Sequence, residues 1–162
     1  MQFIVELWLP IVVSALLVWF AGFVLHTLLP HHKGEYTGLP DEAKVMGALE
    51  GVPAGQYMFP WCSSMAEMKD PAFIERQRKG PTGLLTIFSG PPNMGRNLSL
   101  TLLVQLVVGL FVAYVGFHCL AAGDPYLTKF RICGAVAFAC YGLGWMPHMI
   151  WFGTKGFWAN LF

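Results

Sequence analysis

The sequence predicts an all-α integral membrane protein with three transmembrane helices and a roughly 68-residue polar connection, containing short helices, between the first and second. Three observations carry that expectation. Residues 98–120 and 130–152 are nearly charge-free apolar stretches of about 23 residues joined by a short polar turn, and a third, 3–29, opens the chain with Glu6 as its one charge. At about 1.5 Å of rise per residue, each can cross a hydrocarbon core roughly 30 Å thick. The chain is 56% hydrophobic and only 12% charged, where soluble domains run near 25% charged. The charges are also segregated: seven of the ten Lys/Arg and seven of the nine Asp/Glu lie between Pro30 and Asn97. The expected order is helix 1 over 1–29, the connection over 30–97, helix 2 over 98–120, a turn over 121–129, helix 3 over 130–152 and an interfacial tail over 153–162.

The first stretch lacks a basic n-region, is too long for an h-region and has no small-residue cleavage site after Leu29, so it reads as a retained helix. Pro10 falls early within it, where a local kink absorbs the lost hydrogen bond. Pro30-His31-His32-Lys33 forms a polar exit. A connection of this length calls for elements of its own. Pro40-Asp41-Glu42 opens an acidic first turn, and Ala43, Met46 and Leu49 give a short apolar stripe, predicting a surface helix. Asp70-Pro71 is a cap-and-N1 pair for a second helix, anchored by Phe73 and Ile74 and stopped at Gly80-Pro81. The basic end of that helix, with Arg76, Arg78 and Lys79, suits a helix C-terminus and anionic lipid heads. Leu84–Phe88 is short and β-prone, and Ser89-Gly90-Pro91-Pro92-Asn93 is a turn cluster.

Helix 2 carries Gly109, Ala113 and Gly116, and helix 3 carries Gly134, Ala135, Ala139, Gly142 and Gly144, small residues that let helices approach closely. The two should pack as an antiparallel hairpin about Gly123-Asp124-Pro125, with a break in helix 3 at Pro147. Trp8, Trp151 and Trp158 fit interfacial aromatic belts. With the connection and tail on one side, that side holds eight Lys/Arg and the other only Lys129 and Arg131. The positive-inside rule then places the N-terminus in the periplasm and 30–97 in the cytoplasm.

Candidate chemistry is sparse. His26 and His148 fall toward the same membrane face on parallel helices. Imidazoles at matching depth can ligate a haem or the magnesium of a bacteriochlorophyll, while the plainer reading leaves both interfacial. Aromatic side chains can likewise line a carotenoid tail. Glu6 reaches the interface, and a proton-relay role would need a second buried polar group beside it. His118 and Cys119 are soft ligands, but neighbouring helix positions diverge by about 100° and do not chelate one ion. Cys119 and Cys133 flank one turn, leaving either a disulfide or free thiols open. No phosphate loop, nucleophile elbow, zinc-protease or dinucleotide fingerprint occurs, and no carboxylate pair is placed for acid–base work. A net charge of +1 argues against nucleic acid as a partner.

Several connection motifs carry a resemblance: Leu29-Pro30-His31-His32-Lys33, Gly38-Leu39-Pro40-Asp41-Glu42, Gly55-Gln56-Tyr57-Met58-Phe59-Pro60, Gly80-Pro81 and Gly90-Pro91-Pro92-Asn93-Met94-Gly95. With Phe130-Arg131 and Tyr141-Gly142-Leu143-Gly144 they resemble an uncharacterised family of bacterial inner-membrane proteins. That resemblance implies an inner-membrane location and one more hydrophobic segment beyond Phe162, and it brings no activity. The function expected is therefore a non-catalytic accessory subunit of a larger bacterial membrane complex, touching other membrane subunits and lipids. An energy-converting complex, either a photosynthetic reaction centre with its antenna or a respiratory one, is the first choice. The rivals are a membrane redox or metal-binding protein using His26 and His148, and a lipid- or small-molecule-binding membrane protein.

Overall fold

The computed structural model describes residues 2–28 and 37–152. The expected polar exit Pro30-His31-His32-Lys33 and the tail at 153–162, with Trp158, lie outside them. The described chain is 67% helix and divides into two compact units: Met1–Thr37 with Asn93–Phe162, and Gly38–Pro92.

In the first unit, α1 (Gln2–Thr27) and α4 (Met94–Cys119) are each 26 residues long and apolar enough to cross a membrane. Pro10 is accommodated inside α1. Helix α4 begins four residues before Leu98 because Asn93, read from sequence as part of a turn, caps it: its carboxamide oxygen accepts from Arg96 N at 2.9 Å. The two helices pack antiparallel, as three contacts along them establish. Near the start of α1 the Phe3 ring meets Tyr114 edge-on, 5.5 Å between centroids. Midway, Ile11 and Ser14 face Gly109. Farther on, Trp19 Nε1 donates to the Leu98 carbonyl at 3.0 Å.

The expected third stretch is not one regular helix. It starts earlier than Phe130, as α5 (Tyr126–Phe138), passes through a π-helical segment at Ala139–Leu143, and resumes as α6 (Met146–Phe152). Alone, α5 is only about 20 Å long, too short to cross. The break precedes Pro147 and falls where Gly142 and Gly144 weaken helical preference. Helices α4 and α5 lie antiparallel: Gly116 faces Cys133 near their shared turn, and the Tyr141 hydroxyl donates to Gln105 Oε1 farther along. All four cysteines are free thiols, Cys119 and Cys133 included.

The second unit departs from an all-α reading. Strand β1 (Gly55–Phe59) pairs antiparallel with β2 (Gly83–Ile87), in register from Gly55 opposite Ile87 to Phe59 opposite Gly83. The sequence predicted β2 but not its partner. Run 55–59 carries the missing signal, a Tyr- and Phe-bearing segment bounded by Gly55 and Pro60. Gly83 fits because the Phe59 ring fills the place of its side chain; a Cβ there would sit 3.0 Å from that ring.

Helix α2 (Glu42–Ala48) is capped by Asp41, whose carboxylate accepts from Lys44 N at 3.3 Å. Its predicted apolar stripe stays open, with Met46 65% exposed. Helix α3 (Pro71–Lys79) follows the sequence reading closely. The Asp70 carboxylate accepts from Ala72 N at 2.8 Å, Pro71 stands at the first turn, Phe73 is buried, and Gly80 closes the helix at φ 61°.

Candidate functional site

The close approach of α1 to α4 is set by Gly109. A Cβ on that residue would lie 3.3 Å from the Ile11 carbonyl and 3.4 Å from Ser14 Oγ. The neighbouring Ile11 and Ala15 are buried. On the other side Gly116 makes room for Cys133, whose Sγ would lie 3.4 Å from an added Cβ. One α4 stripe therefore serves two helices, Gly109 receiving α1 and Gly116 receiving α5, with Ala113 between them.

Ala113 faces a groove of about 790 Å³ bounded by α1, α4, α5 and the turn after α4. Its walls are apolar over most of their length. Five polar side chains interrupt them: Glu6 and Ser14 from α1, Gln105 from α4, Lys129 from α5 and Tyr141 from the π-helical segment. The helix directions sort these into two groups. Glu6, in the second turn of α1, and Lys129, in the first turn of α5, both line the half of the groove toward the end of α4, with Lys129 at Ala122 and Glu6 nearer the level of Ala113. Ser14, Gln105 and Tyr141 belong to the deeper part.

The deep group is satisfied within the fold. Tyr141 and Gln105 bond each other, and Ser14 Oγ donates to the Ile11 carbonyl at 3.1 Å. At the mouth, Glu6 Oε1 accepts from Gln2 Nε2 at 2.6 Å, and Lys129 Nζ donates to the Ala122 carbonyl at 3.0 Å. A carboxylate has a second oxygen and an ammonium two further protons, so both groups retain capacity for a ligand.

The histidines favoured by the sequence lie elsewhere. Both are exposed and neither lines the groove. His26 Nδ1 donates to the Gly22 carbonyl at 3.0 Å, one turn back on its own helix. His148 lies between aromatic rings, stacked on Trp145 at 4.5 Å and tilted against Phe152 at 4.6 Å. His118 joins an aromatic cluster with Tyr114 and Phe117. Among the described residues no three His, Cys, Asp or Glu side chains converge as a metal site.

Of the predicted packing residues, Gly109 and Gly116 sit at helix contacts and Gly142 is buried, whereas Ala135 and Ala139 are exposed. The inward face of α5 carries Gly134, also among the predicted small residues, with Cys133 and Ala137 and with Tyr141 beyond. That row is offset from Ala135 and Ala139 on the helix circumference.

In the second unit, Arg76, Arg78 and Lys79 occupy the last turn of α3. Arg76 is already engaged, its guanidinium carbon 5.6 Å from the Phe73 ring centroid. Glu67 accepts from Ser63 N at 2.8 Å and Ser63 Oγ at 2.9 Å, and these bonds, aided by the Arg76 charge, hold its carboxyl below the ordinary carboxylate range.

Glu6 and Lys129 are the pair that sequence reasoning left apart. Each reads alone as an interfacial residue, and only the registers of three helices bring them to one mouth. The available signal was directional: the start of α1, the end of α4 and the start of α5 must share a side if all three cross. No family model, curated protein or solved structure matches this chain.

Proposed function

We propose that this chain is a three-span, non-catalytic accessory subunit of a larger membrane complex, situated in a bacterial inner membrane with 37–92 on the cytoplasmic side. The observation that carries the reading is how little its apolar helices cover one another. Among the described residues of the first unit, only Ile11, Ala15 and Met149 are buried hydrophobic residues. Large apolar groups such as Val5, Trp8, Leu17 and Phe20 on α1 and Val104, Val107 and Phe111 on α4 remain exposed. Helices apolar all round need lipid or protein on every side, and a unit with so small a core of its own gains by being enclosed by neighbours. The third crossing is supplied by α5, the π-helical segment and α6 together, from Tyr126 to Phe152, about 40 Å of helical path. An energy-converting assembly is the first choice of complex.

The test is a native gel of source membranes in mild detergent, with an absorption spectrum of the band that contains the chain. A large pigmented band supports an accessory role and identifies the class of complex by its spectrum. A large colourless band keeps the accessory role and removes the photosynthetic choice. A small monodisperse species overturns the reading.

A further inference from the structure

We propose that the three-helix groove holds one phospholipid whose headgroup pairs a phosphate with a primary ammonium. Lys129 would take the phosphate, Glu6 the ammonium, and the apolar trough beyond Ala113 an acyl chain. The inference rests on the membrane reading of these helices and not on the accessory role.

Three features select this occupant. The mouth carries one cation and one anion, each with bonding capacity left, which complements a zwitterion better than an anionic or an uncharged head. Deeper in, Gln105 and Tyr141 bond each other, so the remaining wall offers little to a polar guest and suits a hydrocarbon chain. The small residues that would seat a partner helix are already spent: Gly109 is closed by Ile11 and Ser14, and Gly116 by Cys133. Gly134 is different, because a Cβ there meets nothing within 4 Å although the residue lines the groove. The space before it is unfilled by protein.

The groove is tested by native mass spectrometry of the full chain in detergent, titrated with phosphatidylethanolamine and phosphatidylglycerol of identical acyl chains. The wild type should bind one phosphatidylethanolamine at least fivefold more tightly than phosphatidylglycerol. Glu6→Gln should bring the two lipids within about twofold by weakening the first, and Lys129→Gln should weaken both. Gly134→Leu should remove the single tight adduct by occupying the trough. Gly22→Leu, a control at another helical position open to a new side chain, should leave it intact. Equal binding of both lipids by the wild type, or an adduct unchanged in Gly134→Leu, overturns the proposal. So does a tightly held protein in place of lipid that Gly134→Leu releases. A chain that stays soluble and monodisperse without detergent would instead refute the membrane reading on which the groove depends.

Discussion

In the helical unit, α1 and α4 run for 26 residues each with apolar side chains around their whole circumference, and their meeting depends on the absence of a side chain at Gly109. In the Gly38–Pro92 unit no helix exceeds nine residues, and α2 and α3 are each started by an aspartate bonded to a backbone N–H. The contrast follows from the solvent each is suited to. Where water competes for backbone groups, a short helix needs its ends fixed by side chains. In a bilayer the backbone satisfies itself and the hydrophobic effect no longer selects a face, so shape decides which surfaces meet. Caps should therefore weigh most on the short helices of one unit, and close packing most in the other, where Asn93 also caps α4.

The largest effect expected from breaking that division is at the α1–α4 crossing. Gly109→Leu forces new atoms against the Ile11 backbone and should cost about 1–3 kcal/mol. Thermal unfolding followed by circular dichroism in detergent measures it, and a change within error would mean the crossing is loose. Next is the cap of α3. Asp70→Ala should cost about 1 kcal/mol and speed proteolytic cleavage within Pro71–Lys79, while the melting of the long helices stays put. If the long helices melt earlier as well, the two units are not independent.

The smallest effect sharpens the comparison through pH. Glu67 is held below its ordinary value of about 4.3. Its unfolded form therefore binds the proton more readily, and the stabilisation is present above that value and lost as pH falls through the folded one. Protease resistance of the Gly38–Pro92 unit should weaken on acidification below about pH 4, and Glu67→Gln should flatten that dependence.

The two units were also legible in different ways. Punctuation located the elements of the connection: Asp70-Pro71 opened α3, Gly80-Pro81 closed it and Leu84–Phe88 marked β2. Strand β1 was hidden because a five-residue run with methionine in it has too little alternation to stand out without its partner. For the apolar stretches, composition located α1 and α4 but could not say which faces meet. Gly109 and Gly116 were readable as contact points because missing side chains have a direct steric meaning. Ala135 and Ala139, read in the same way, are exposed within this chain, because an alanine marks a possible contact without saying which helix meets it. The groove itself was out of reach. Glu6 and Lys129 share no local pattern, and their proximity to one mouth depends on two helix–helix registers that no single window of sequence contains.

The bond from the Trp19 indole to the Leu98 carbonyl has a consequence for synthesis on the ribosome. Helix α1 is made first, and the α4 surface that receives Phe3, Ile11 and Trp19 is complete only when Cys119 has been added. At translation rates of about 5–20 residues per second, that interval lasts roughly 5–20 s. On the membrane reading proposed above, the first helix is for most of that interval a lone segment in the translocon or the bilayer, its indole N–H without the Leu98 acceptor until that residue is added. Its nearly unbroken apolar surface lets it wait there without aggregating through a polar stripe, so the first segment is written for solitude as much as for its later partner.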